Sequence, residues 1–189
     1  MKPKPHTLLM KEIEVKILGI DVADIKAKLV DLGAEKTFDG LLKVRYFDTP
    51  DGEIRKKGDL LRVREYEGEK VEITHKTNKR VENGLKIYDE QNVQAEDFEE
   101  ATEMFKELGF EVTTYYEKKR AVFKLEGAEI VIDEYPKIPP FVEIEAENED
   151  LIEKLIEKLE LTENERSSQT INGLLKEKYP DIELNNLTF

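Results

Sequence analysis

Charged and apolar residues alternate along Lys11 to Leu18, in the order Glu12, Ile13, Glu14, Val15, Lys16, Ile17. A period of two belongs to a β-strand, whose successive side chains leave opposite faces, so Glu12, Glu14 and Lys16 share one face and the apolar residues the other. The pattern recurs with charge. Arg62 and Arg64, Thr74 and Lys76, Lys118 and Arg120, and Glu143 and Glu145 each stand two apart in a strand-like segment. Cations on one face of several strands, and carboxylates on one face of two others, repel within each group unless a ligand of opposite charge lies between them. A polyanion with a divalent metal is the simplest such ligand.

The other segments indicate how the strands connect. Strand patterns run over Leu41–Asp48, Leu60–Glu65, Lys70–Thr77 and Leu85–Val93, broken by turn-rich stretches such as Thr49-Pro50-Asp51-Gly52 and Glu67-Gly68. They resume over Glu111–Tyr116, Lys119–Leu125, Glu129–Asp133 and Phe141–Ala146. Between an N-capping Asp21 and Gly33, the residues Val22, Ile25, Leu29 and Leu32 recur at helical spacing, as do Phe98, Ala101, Phe105 and Leu108 before Gly109. Strand, helix ending in Leu-Gly, then strands thus occurs twice, which reads as two duplicated half-barrels. Two helices close the chain, one with Leu151, Ile152, Leu155 and Leu159, the other with Ile171, Leu174, Leu175 and Tyr179 before Pro180. The expectation is one α+β domain over residues 1–189, with an N-terminal extension over about 1–10 and a tail over about 181–189. About eight antiparallel strands suffice to close a β-barrel around a small ligand.

Composition narrows the partners. Lys and Arg number 30 against 43 Asp and Glu, a net charge of −13, which argues against general nucleic-acid binding but leaves room for a local basic cavity. The chain has no cysteine, which excludes disulfides, thiolate zinc sites and thiol nucleophiles. Met1 to Met10 lacks the apolar centre of a signal peptide, and no apolar run reaches membrane-spanning length, so the chain reads as cytoplasmic with no membrane partner. A homodimer is compatible with a sequence that is silent on oligomeric state.

Seven elements then line up in one order: Glu12-Ile13-Glu14-Val15-Lys16, Tyr46-Phe47-Asp48-Thr49, Leu61-Arg62-Val63-Arg64, Lys76, Lys118 to Arg120, Ile132-Asp133-Glu134 and Phe141-Val142-Glu143-Ile144-Glu145. In this the chain resembles the CYTH, or triphosphate-tunnel metalloenzyme, family, which includes class IV adenylyl cyclases, thiamine triphosphatases and inorganic triphosphatases. The resemblance implies an eight-stranded antiparallel β-barrel tunnel with outer helices. It also implies that Lys16, Arg62, Arg64, Lys76, Lys118 and Arg120 grip phosphates, and that Glu12, Glu14, Glu143 and Glu145 hold Mg²⁺ or Mn²⁺. Glu12, Glu14, Lys16 and Asp133 would form the reaction centre, Asp133 orienting water or a second metal. The expected activity is metal-dependent hydrolysis of inorganic triphosphate or a small organic triphosphate. The alternatives are an adenylyl cyclase making cyclic AMP and pyrophosphate from ATP, and a non-catalytic polyphosphate- or nucleotide-binding module.

Two features depart from the family's pattern. Lys137-Ile138-Pro139-Pro140 replaces the glycine common before the closing strand, and Ser168-Gln169-Thr170-Ile171 keeps the Ser but not the Tyr of the usual C-terminal motif. On the fifth strand the acid is Asp89 or Glu90, and Glu90 shares parity with Lys86 and Tyr88. His75 has the parity opposite to Lys76 and should face away from a cavity. Tyr46, Phe47, Tyr115 and Tyr116 read as packing residues rather than base-stacking ones.

Overall fold

The computed structural model describes residues 10–189, with side chains from Ile13 onward, so most of the expected N-terminal extension and the Glu12 side chain lie outside the described residues. The alternation read from sequence builds β1 (Met10–Ile17), β2 (Glu35–Asp48), β3 (Leu60–Tyr66), β4 (Lys70–Glu82), β5 (Leu85–Ala95), β6 (Glu111–Leu125), β7 (Ala128–Glu134) and β8 (Phe141–Ala146). Their hydrogen-bonded order is β5-β4-β3-β2-β6-β7-β8-β1, and β1 also pairs with β5, which closes an antiparallel barrel. Closure leaves none of these strands as an open edge along its whole length. A two-residue strand β9 (Arg166–Ser167) takes up β1 at Lys16 and Ile17, beyond the reach of β5.

The order strand, helix, three strands occurs twice, with α1 (Val22–Asp31) following β1 and α3 (Phe98–Glu107) following β5, the first half differing by one short helical turn after β2. The pairings agree with the duplication, since β1 lies beside β5, β2 beside β6, and the β8–β1 contact mirrors β4–β5. Each helix ends on a glycine in the left-handed region, Gly33 at φ 74° and Gly109 at φ 91°, a conformation that costs other residues.

Outward apolar residues are covered by helices. Ile25 and Leu29 of α1, with Ile152, Leu155 and Ile156 of α4 (Glu149–Lys158), pack against Ile13, Val15, Ile17, Ile130, Ile132, Val142 and Ile144. Each such side chain, fully buried, contributes ~1.5–3 kcal/mol of transfer free energy. Phe98 and Ala101 of α3 cover Leu61, Val63 and Val71. The last helix, α5 (Ile171–Lys178), differs. Its Ile171, Leu174 and Leu175 join Leu42, Val44, Tyr116, Val131, Tyr135 and Phe141, which are inward-facing, so α5 caps the lumen instead of cladding the wall.

Local departures from expectation have physical causes. Glu111–Tyr116 and Lys119–Leu125 are one strand, β6, because Tyr116, Lys118 and Arg120 keep the alternation unbroken. β2 starts at Glu35, not Leu41, because a register shift between Lys36 and Phe38 hides the period there. A single helical turn, α2 (Glu53–Lys56), follows β2, and Asp48 organises it by accepting N–H bonds from Thr49, Ile54 and Arg55. The segment read as a tail is docked: Leu184 and Leu187 are buried, and the Glu117 N–H donates to the Leu187 carbonyl at 2.9 Å.

Candidate functional site: a charged lumen

Because each barrel strand puts alternate residues inside, the polar face of every period-two pattern converges on one cavity of about 740 Å³. Glu14 and Lys16 enter from β1, Arg62 and Arg64 from β3, Lys76 from β4, Lys118 and Arg120 from β6, and Glu143 and Glu145 from β8. Glu12 sits opposite Tyr88 in the β1–β5 register. Asp133 is fully buried, in the wall beside Arg120. Glu90 is the fifth-strand acid that lines the cavity; His75 does not line it.

The cations are held by carboxylates. Arg120 donates from Nε to Asp133 Oδ1 at 2.7 Å and from Nη2 to Asp133 Oδ2 at 2.6 Å, and the same Nη2 reaches Glu143 Oε2 at 3.0 Å. Lys118 Nζ donates to Asp133 Oδ2 at 2.7 Å. Lys16 Nζ lies 2.6 Å from Glu143 Oε1 and 3.4 Å from Glu14 Oε1. Lys76 pairs with Glu90 at 2.5 Å, Arg64 pairs with Glu72, and Lys86 pairs with Glu14. Arg62 has no carboxylate partner among the described residues. Its Nε, the Arg64 Nε and the Thr74 hydroxyl are buried without hydrogen-bond partners among the described residues, and Arg62 and Thr74 are register partners on β3 and β4. Buried polar groups are normally satisfied, so this wall offers hydrogen bonds to an incoming ligand.

Crowding of charge moves the pKa values apart. Burial opposes the ionised form of Glu14, but Lys16 and Lys86 outweigh it and hold the carboxyl at about 2. Glu143 also lies well below its ordinary value, against burial, because of Lys16 and Arg120. Glu145 behaves oppositely: burial, reinforced by Glu14, pushes it up to about 7. Burial and then Arg120 bring Lys118 down to about 7 even though Asp133 favours its charged form.

A divalent metal fits this donor set in one place. Glu14 and Glu145 are register partners on β1 and β8, both lining the cavity, and Glu145 makes no ion pair with a described residue. Two hard carboxylates beside a phosphate-sized cationic wall match the habit of Mg²⁺, which uses one or two carboxylates and completes its shell with water and phosphate oxygens. Among the described residues no three acids form a ready-made metal cluster.

Sequence reasoning assigned no functional role to Lys86 or Glu72. Lys86 and Glu72 both line the cavity. Lys86-Tyr88-Glu90-Asn92 alternates with Leu85-Ile87 as plainly as the N-terminal strand does, so parity was the available signal.

Comparison with known proteins gives a consistent set. A family model described as CYTH domain matches residues 10–172. A Methanocaldococcus jannaschii protein, provisionally named an adenylate cyclase, is 30% identical over 77% of this chain and 82% of its own length. A solved structure from Pyrococcus horikoshii is 30% identical with a TM-score of 0.67, covering 82% of this chain and 94% of that one. The structure of a Hippeastrum protein, provisionally named an adenylyl cyclase and described as having a dominant triphosphatase activity, shares the fold at 16% identity with a TM-score of 0.63, over 88% and 95% of the two chains.

Proposed function

The chain belongs to the CYTH domain family, whose members are divalent-metal-dependent enzymes with cyclases and triphosphatases among them, and on that premise we propose that it hydrolyses a triphosphate-bearing small molecule inside the barrel. One observation carries the proposal: six cations from β1, β3, β4 and β6 face a lumen whose opposite register pair, Glu14 and Glu145, supplies hard oxygen donors. A pure anion binder needs cations far more than it needs a second carboxylate beside Glu14 that no described residue pairs.

Lys16, Arg62, Arg64, Lys76, Lys118 and Arg120 would hold the phosphate oxygens, the guanidiniums through paired N–H donors and the ammoniums as point charges. Glu14 and Glu145, with Glu12, would hold Mg²⁺ or Mn²⁺, which when bound supplies charge neutralisation on the phosphate oxygens. Glu143, expected from the sequence as a further ligand, instead has both oxygens engaged by Lys16 and Arg120 and would hold those cations in place. Asp133 is better placed to position than to react, because both of its oxygens are engaged by Lys118 and Arg120. Phosphoryl transfer asks mainly for alignment and charge stabilisation, and a water held by a lumen carboxylate needs little help as a nucleophile. The lumen's burial keeps these interactions strong by excluding bulk water.

Hydrolysis is preferred to cyclisation because most of the lumen's aromatic rings are engaged with one another, and Tyr88 lies under the Lys76 and Lys86 ammoniums. Tyr46 packs edge-on against Tyr116, Tyr135 stacks on Phe141, and Phe38 packs on Tyr66. A nucleobase would compete with these contacts for the same rings. The relative's name supports the cyclase as second reading. A cytoplasmic location and a small-molecule partner belong to the same proposal, since α1, α3 and α4 cover apolar wall that a lipid-facing barrel would present to acyl chains. Incubation with ATP and Mn²⁺, followed by chromatography, separates the readings: orthophosphate supports hydrolysis, and cyclic AMP with pyrophosphate replaces it with cyclisation.

A further inference from the structure

Glu14 and Lys86 are register partners on β1 and β5, each only 5% exposed, and the Lys86 ammonium contacts Glu14 Oε1. Lys16 approaches the same oxygen at 3.4 Å but has Glu143 at 2.6 Å as a second partner. Glu14 is the one carboxylate paired with Lys86 among the described residues. The two lysines therefore stand differently toward anything that claims Glu14. Lys16 keeps an anion when Glu14 is taken; Lys86 is stranded.

We propose that Lys86 is a resident counter-ion on the metal's own carboxylate: divalent metal gains Glu14 only by displacing the Lys86 ammonium, and a polyphosphate that receives this ammonium makes the metal bind more tightly. This rests on the reading of Glu14 and Glu145 as metal donors. A buried ammonium without a partner is costly, so metal binding alone bears the cost of stranding Lys86. Phosphate oxygens beside Lys86 remove that cost. Linkage makes the effect reciprocal, so metal also tightens polyphosphate. Lys86 lines the same cavity as the phosphate-binding cations, which puts the displaced ammonium within the space a polyphosphate would fill.

The test is a Mn²⁺ titration of the whole protein by calorimetry, with and without imidotriphosphate as a hydrolysis-resistant probe. Lys86→Met removes the charge and keeps the length, and Lys86→Gln serves as second variant should the methionine protein fail to fold. Either neutral variant is expected to bind Mn²⁺ alone at least about tenfold more tightly than the wild type, and to show a correspondingly smaller gain from imidotriphosphate. Lys86→Arg, which keeps the charge, is expected to stay within about threefold of the wild type. Neutral, folded variants that bind Mn²⁺ no more tightly than a Mn²⁺-binding wild type overturn this inference alone. A wild type that binds no Mn²⁺ even with imidotriphosphate overturns the metal reading with it.

Discussion

Glu14 and Glu145 face each other across β1 and β8 inside the lumen, yet Glu14 is held at about 2 and Glu145 is pushed up to about 7. The difference is one of partners. Lys16 and Lys86 both reach Glu14, whereas Glu145 meets burial and the negative charge of Glu14. A cation placed between them would satisfy the carboxylate that no described residue pairs.

Glu145→Gln replaces one carboxylate oxygen with an amide while preserving shape. Loss of residues that merely support metal ligands costs 10–100-fold, so loss of a ligand is expected to lower metal-dependent turnover by more than about 100-fold. Stability should hold, because an amide stands in for a carboxyl with no ion partner to strand. Steady-state kinetics at saturating Mn²⁺ and a thermal melt check the two halves; unchanged turnover removes Glu145 from the metal site.

Arg62 and Arg120 should respond in opposite ways to neutralisation. Arg62 has no carboxylate partner among the described residues, so Arg62→Met is expected to leave the melting temperature level or raised while weakening tripolyphosphate binding roughly tenfold or more. Arg120→Met leaves Asp133 with Lys118 and Glu143 with Lys16 but strips Asp133 Oδ1 and Glu143 Oε2 of their partner, and breaking such a buried pair costs about 3–5 kcal/mol. Denaturant unfolding with parallel binding titrations distinguishes them, and equal destabilisation would contradict the assigned pairing.

Lys118 gives the pH dependence a direction. With its pKa brought down to about 7, the amine loses its charge as pH rises through neutrality, while a bound polyphosphate favours the ammonium. Binding therefore takes up a proton above pH 7, and affinity falls with rising pH by up to about tenfold per unit. Metal-free calorimetry with tripolyphosphate between pH 6.5 and 8.5 measures the slope. Glu145, pushed up to about 7, and Lys86, brought down by burial and Lys16 to about 8, add to the slope in the same sense, so Lys118→Met should reduce it, and an identical slope in the variant assigns it to those groups.

The capping helix is tested through its core residue. Leu174 is 3% exposed among inward-facing Leu42, Val44, Tyr116 and Phe141 side chains. Leu174→Ala should cost about 2–5 kcal/mol in urea unfolding. A cost below about 1 kcal/mol would mean that α5 is not packed against the lumen.

The strands and the lumen-facing residues could be read from sequence wherever the period of two was intact. Parity put Arg62 with Arg64, Thr74 with Lys76 and Lys118 with Arg120 on a shared face of each strand and favoured Glu90 over Asp89, while the family resemblance supplied the six cations as one set. It failed at Lys36 to Phe38, where a register shift breaks the alternation, and so β2 looked shorter than it is. The placement of α5 was not legible, because the apolar stripe of Ile171, Leu174 and Leu175 looks the same whether it covers a wall or caps a lumen. Pairing was hidden as well. No local pattern says that Asp133 binds both Lys118 and Arg120, since that follows from the β6–β7 register.

The most direct test of metal-dependent triphosphate hydrolysis in the lumen is orthophosphate release from tripolyphosphate by the wild type. It would be measured with Mg²⁺, with Mn²⁺ and with chelator, alongside Glu145→Gln. The expected result is stoichiometric orthophosphate and pyrophosphate with metal, abolished by chelator and by the substitution. Release that survives chelation, or no release with either metal from a protein that binds tripolyphosphate, would contradict it.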